Sequence, residues 1–168
     1  MKKQKKAIIA SYVRNFVFGV EDSLVSSVGL LTGVATAGVS RQTLVLTGII
    51  LIFVEAFSMG VGSFLSEQSA QEYLRKKDGP IGQTLADGSI MFVSYFISGI
   101  IPLWPYYFFE PLTAIWVSMG SSLMSLFLLG FFAGKLFAID GLKNGAKMVT
   151  LGGLAIAVGI AVGQIVHI

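Results

Sequence analysis

The 168-residue chain has no cysteine, which excludes disulfides, thiolate metal sites and a thiol nucleophile. Charge is also scarce: Asp, Glu, Lys and Arg make up only 12% of the residues, too little to solvate the surface of a soluble domain of this length. The single histidine, His167, is the penultimate residue, where a solvated terminal side chain is the simpler reading than a ligand. No serine–histidine pair falls in an apolar segment, and there is neither a zinc signature nor a glycine-rich phosphate loop beside a basic cluster. Enzyme chemistry therefore has no parts to work with, and the metal ligands left are hard oxygen and thioether sulfur.

What is abundant is apolar surface. Hydrophobic residues make up 54% of the chain and the mean hydropathy is +0.79, which together describe an integral membrane protein. A sequence pI of 9.2 then reflects membrane-anchoring lysines, and no length is left over for a nucleic-acid-binding domain. The N-terminal MKKQKKAIIA resembles the start of a signal peptide, but Arg14, Glu21 and Asp22 interrupt the following apolar run and no small-residue cleavage site appears, so the segment is expected to be retained. Five apolar segments follow, at 12–39, 43–66, 85–107, 111–135 and 147–168, each near or above the ~20 residues that span a bilayer. The expectation is an all-α bundle of five transmembrane helices forming a single transmembrane domain over 1–168, with polar connections at 38–41, 67–83, 102–111 and 140–145. Eleven Lys and Arg fall on the N-terminal side of these spans and Arg41 alone on the other, which places the N-terminus in the cytoplasm and the C-terminus outside.

Against this apolar background, three carboxylates inside the first two spans, Glu21, Asp22 and Glu55, stand out, because a charge at mid-membrane costs at least ~3 kcal/mol on insertion scales. If the first helix enters the hydrocarbon near Val13, Asp22 lies ~14 Å deep; Glu55, eleven residues past Leu44, lies ~16 Å below the opposite face. The two depths sum to the ~30 Å thickness of the hydrocarbon, so both acids sit near the midplane. Met59, one turn beyond Glu55, lies on the same face and completes a two-rung ladder toward Asp22. Carboxylate oxygen with one thioether suits a borderline divalent ion such as ferrous iron or manganese better than calcium or magnesium. The plainer alternative makes Asp22 and Glu55 protonated packing residues and Met59 core. Glu21 is ~100° around the helix from Asp22, so it fits a supporting shell or a subunit contact as well as it fits ligation. Glycine pairs four apart, Gly29/Gly33, Gly130/Gly134 and Gly159/Gly163, permit close helix approach without indicating which helices meet.

The stretch from Arg14-Asn15-Phe16-Val17-Phe18-Gly19-Val20-Glu21-Asp22-Ser23 through Gly33-Val34-Ala35 resembles the first-helix signature of the vacuolar iron transporter family. Glu55-Ala56-Phe57-Ser58-Met59-Gly60-Val61-Gly62-Ser63 is similar to its second-helix signature, built around Ser-Met-Gly, and Ile101-Pro102-Leu103-Trp104-Pro105-Tyr106 and the glycine-rich last helix also fit. The resemblance implies a homodimer of five-helix subunits that moves ferrous iron or manganese out of the cytosol in exchange for protons. Its path would run along the dimer axis, lined by Asp22, Glu55 and Met59, with no prosthetic group and no nucleic-acid partner. Two departures bear on ion preference: Ser23 stands where the family has glycine, and Glu21 adds a carboxylate.

A larger departure is the connection at 67–83, too short for the glutamate-rich cytoplasmic domain that collects metal in vacuolar members. Glu67 and Glu72 remain as candidates for weak capture at the cytoplasmic mouth, or as a solvated helix end. The alternative to a transporter is a non-transporting assembly or regulatory subunit of the same descent, and the compact form suggests a prokaryotic plasma membrane. From the charge asymmetry, Ser40→Cys is expected to react with an impermeant thiol reagent from outside, and Lys77→Cys only after permeabilisation. Reversed labelling would invert the topology.

Overall fold

The computed structural model describes residues 2–75 and 81–165. These form α1 (Lys2–Thr36), α2 (Arg41–Arg75), α3 (Ile81–Leu103), the four-residue α4 (Pro105–Phe108), α5 (Pro111–Leu136) and α6 (Gly141–Ile165), with no strand among the described residues. All but α4 are long and apolar enough to cross a membrane, so the chain is a multi-pass, all-α integral membrane protein. Lys76, Lys77, Asp78 and His167 lie outside the described residues.

Helix ends differ from the hydropathy expectation for local reasons. α2 runs through the polar stretch from residue 67 as far as Arg75, because no glycine or proline intervenes before Gly79-Pro80 and side chains one turn apart support it. Gln68 Nε2 donates to Glu72 at 2.9 Å and Gln71 Nε2 donates to Glu67 at 3.3 Å. α1 likewise begins at Lys2, well before the apolar run. α1 and α2 each have 35 residues, or ~52 Å at 1.5 Å per residue, and so project beyond a ~30 Å hydrocarbon layer. α6 starts at Gly141 instead of 147 because Asp140 caps it, its Oδ1 accepting from the N–H groups of Leu142 (3.0 Å) and Lys143 (3.2 Å). The connection after α3 is itself partly helical: Pro105 opens α4, and Pro102, inside α3, keeps its carbonyl satisfied by Ser118 Oγ at 2.7 Å.

α1 occupies the centre, packed along α3 and α6, with less contact to α5 and least to α2. α2 is held chiefly by α3, and α5 by α6. Both ends of the antiparallel arrangement are tied. Arg14 of α1 pairs with Glu67 of α2 at 3.2 Å at one end, and Arg41 Nε donates to the Tyr106 carbonyl at 2.8 Å at the other. Lipid tails are as apolar as leucine, so helix association rests on close packing and polar contacts instead of hydrophobic expulsion. The α1–α6 crossing meets that requirement with backbone on backbone: a Cβ on Gly33 would lie 2.6 Å from the Gly159 carbonyl oxygen, and one on Gly159 would overlap the Gly29 carbonyl. Gly163 closes on Gly33 in the same way. Gly130 and Gly134 face Asn144, Gly145 and Gly141 across the α5–α6 crossing, so all three glycine pairs are used within one chain.

Gly159→Leu is therefore expected to cost ~1–3 kcal/mol by overpacking and to lower the melting temperature in detergent by about 2–12 °C. Gly120→Leu, at a position where a Cβ meets nothing within 4 Å, serves as the matched control and is expected to melt like wild type.

Candidate functional site

The carboxylates are positioned by how α1 seats on α3. Ser23 is fully buried and donates to the Tyr95 carbonyl at 2.7 Å, and Ser26 Oγ lies 2.8 Å from the Tyr95 hydroxyl. The serine that departs from the family glycine is thus a packing contact to α3. With positions 23 and 27 turned inward, Asp22 falls on the flank of α1 and remains half-buried. Glu55 of α2, also half-buried, lies close enough for its charge to act on Asp22. The Tyr95 hydroxyl, fully buried, is near enough to both acids to interact with each. Glu21 is under a different influence: Lys147 of α6 is its main charged neighbour, with Asp22 next.

Two cavities flank this level. The first, of about 600 Å³, runs from Asp22 along the α1–α6 glycine crossing past Ser26 and Gly33 to Ala37 and Gly163, and its wall is almost wholly apolar. The second, of about 590 Å³, lies between α1 and α2 and is lined by Arg14, Asn15, Met59, Ser63, Ser66 and Glu67 among others. Met59 and Glu67 are eight residues apart on α2, so this cavity extends ~12 Å along the helix. Among the residues expected to act together, Glu55 stands within charge range of Asp22, and Met59 and Glu67 line one cavity, but Asp22 and Met59 line different cavities. Glu72 lines neither and is engaged by Gln68. Among the described residues, no three His, Asp or Glu side chains gather closely enough within one chain to hold a metal ion.

Behind the second cavity lies a polar network that sequence reasoning missed. Asp87, on α3, is fully buried, and its Oδ1 accepts from Ser11 Oγ at 2.8 Å and Asn15 Nδ2 at 2.6 Å, while Oδ2 has no partner. Asn15 Oδ1 in turn accepts from Ser63 Oγ of α2 at 3.1 Å, so one amide ties three helices together. Asp87 sits six residues into α3, where hydropathy places it at a solvated boundary; its burial depends on α1. Tyr95 carried no signal of its own either, since a tyrosine within an apolar run does not reveal which side it faces.

The sequence matches the VIT family over residues 13–79 and 77–164, nearly the whole chain. The chain belongs to the VIT family. Among relatives, an uncharacterized protein of Methanocaldococcus jannaschii is 28% identical across 88% of this chain and 86% of its own length. The vacuolar iron transporter cccA of Arthroderma benhamiae is 33% identical over 84 residues, which is 45% of this chain and 30% of the fungal protein. In this VIT-family chain, the signature segments of the first two helices carry both the carboxylate pair and the walls of the polar cavity. The signature's Gly60 has a packing reason: a Cβ there would lie 3.1 Å from the Gly88 carbonyl oxygen, so it seats α2 on α3 next to Met59.

Asp87→Leu leaves the Asn15 amide and the Ser11 hydroxyl without their acceptor and is expected to destabilise the fold by ~1–3 kcal/mol. Asp87→Asn keeps a carbonyl acceptor and should cost clearly less. Thermal unfolding in detergent checks both, and a leucine variant that melts like wild type would remove the network from the account of stability.

Proposed function

We propose that the protein exports a divalent transition-metal cation, ferrous iron or manganese, from the cytosol in exchange for protons, with Asp22 and Glu55 as the charge-neutralising station at mid-membrane. Membership of the VIT family and similarity to a fungal vacuolar iron transporter support transport of a metal cation instead of catalysis. One observation supports the residue assignment: half-buried carboxylates on two helices stand within charge range inside the spans, with an apolar cavity running from Asp22 toward one face and a polar cavity running from Met59, one turn past Glu55, toward the other. A dehydrated divalent ion needs such charge, because its solvation has to be replaced in a medium of low dielectric. Glu67, on the rim of the polar cavity, is the point of capture in this scheme, and Met59 supplies a thioether between capture and neutralisation.

One chain brings too few ligands for an ion that prefers about six, so the proposal includes a second copy related by a two-fold axis, bringing its own carboxylates and thioether. The limited contact between α1 and α2 supports that placement, since the helices bearing the acids are not closed against one another.

Asp22→Asn and Glu55→Gln keep size and hydrogen-bonding capacity while removing charge. Removing one partner of a buried charge costs several kcal/mol, and ~1.4 kcal/mol is tenfold, so each variant is expected to fall below about a tenth of wild-type metal flux in proteoliposomes while eluting and melting normally. Met59→Leu, with a packing cost under ~1.5 kcal/mol, is expected to lose iron flux in preference to manganese flux. Wild-type flux in both carboxylate variants would sink the pathway, and failure of both to assemble would make the acids structural.

A further inference from the structure

The polar cavity between α1 and α2 already contains a cation of its own. Among the residues lining it, Arg14 is the one base and Glu67 the one acid, and they meet at its rim with Arg14 Nη2 at 3.2 Å from Glu67 Oε2. The two partners are held very differently. The Glu67 side chain is only 19% exposed and its other oxygen accepts from Gln71 Nε2 at 3.3 Å, whereas the Arg14 side chain is 67% exposed, with one further contact, to Ser11 Oγ at 3.4 Å. The carboxylate is thus a fixed fitting of the cavity, and the guanidinium is a tethered arm lying over it. Exposed ion pairs of this kind contribute little to stability, so the arm leaves at small cost.

Deeper in the same cavity, the Asn15 amide is oriented by its donation to Asp87, which turns its carbonyl oxygen toward Ser63. Glu67 carboxylate, Asn15 carbonyl, the Ser63 and Ser66 hydroxyls and the Met59 thioether therefore mark one polar route of about 590 Å³, with Arg14 at its rim.

We infer that Arg14 is a tethered competitor for the incoming metal ion: its guanidinium occupies the Glu67 carboxylate in the resting protein, and a divalent cation must displace it to enter the cavity. This deepens the transport reading above and rests on it. Arg14 then sets apparent affinity both by occupying the ligand and by repelling the arriving charge, and both effects have the same sign. A purely topogenic arginine would have neither effect.

The test uses Mn2+ as probe in two measurements. In proteoliposome flux, Arg14→Gln is expected to lower the half-saturating Mn2+ concentration by about threefold or more, Arg14→Lys to stay near wild type, and Glu67→Gln to raise it. The Arg14→Gln, Glu67→Gln double variant should match Glu67→Gln alone, because without the carboxylate there is nothing to compete for. A lost fold does not improve apparent affinity, so a fall in half-saturation is not a structural artefact; should Arg14→Gln not assemble, Arg14→Met carries the same test. The second measurement is Mn2+ binding by electron paramagnetic resonance to the purified chain carrying Asp22→Asn and Glu55→Gln. There, Arg14→Gln is expected to tighten binding by a similar factor and Glu67→Gln to abolish it. If the wild type moves no metal, the transport reading fails and binding alone decides. Tightening in that case sustains the competition at Glu67, and its absence overturns it. Unchanged or raised half-saturation for Arg14→Gln in a transporting protein also overturns it.

Discussion

With no hydrophobic force to gather helices in lipid, the fold depends on how closely α1 can approach its neighbours, and that distance is set by backbone. On the α6 side, Gly29, Gly33, Gly159 and Gly163 leave no room for a single Cβ. On the α3 side, serines take the place of bulk, with buried Ser23 bonded to the Tyr95 carbonyl and half-buried Ser26 to its hydroxyl. These two seams adjoin on α1, Ser23 being turned about 100° from the glycine face, and together fix its rotation. That rotation puts Asp22 on the same face as Ser26, Gly29 and Gly33, at one end of the apolar cavity they line and within charge range of Glu55. The position of the acid is thus a consequence of contacts made by its neighbours in sequence.

The half of the bundle around Arg14 and Glu67 obeys a different rule, because α1 and α2 are in limited contact and a polar cavity lies between them. Backbone packing cannot hold a gap open at fixed width, but a hydrogen-bond network can. Asn15 links Ser63 of α2 to Asp87 of α3, and Ser11 adds a second bond to the same carboxylate oxygen. Side-chain hydrogen bonds between membrane helices average only ~0.6 kcal/mol, so the value of this set is geometric as much as energetic: it fixes a separation and orients an amide oxygen. The partnerless Asp87 Oδ2 stays buried behind it, which concentrates polarity on one side of the bundle.

Much of this was legible in the sequence because a bilayer penalises charge so heavily. Asp22 and Glu55 are conspicuous in their apolar runs, and simple depth arithmetic puts them on one level. The five spans follow from hydropathy, although their ends do not: the cap at Asp140 and the glutamine–glutamate pairs that prolong α2 are local hydrogen-bond effects that hydropathy averages away. The glycine pairs were visible as spacing, yet spacing cannot say that Gly29 and Gly33 face Gly159 and Gly163 from the far end of the chain. Asp87 and Tyr95 were missed for a related reason, since what makes each notable is supplied by α1, some 70 residues away. Lys147, counted only as an anchor, is the principal charged neighbour of Glu21, a relation created by the parallel course of α1 and α6.

The same parallel course bears on why an extra acid beside Asp22 is tolerated. Two adjacent carboxylates in one apolar span would each carry the cost of a buried charge, and the first would raise the cost of the second. Here the two leave α1 in different directions. Lys147, exposed near the start of α6, is the charged neighbour that acts most on Glu21, while Asp22 lines the apolar cavity with Glu55 in charge range. Glu21 thus has the opposing charge of Lys147 in range, whereas the charge in range of Asp22 on α2 is that of another acid, Glu55, with the Tyr95 hydroxyl near both. Two acids held in charge range of one another at a cavity wall inside the spans form an arrangement that an arriving cation would stabilise, which supports the proposed role of Asp22 and Glu55 over that of Glu21.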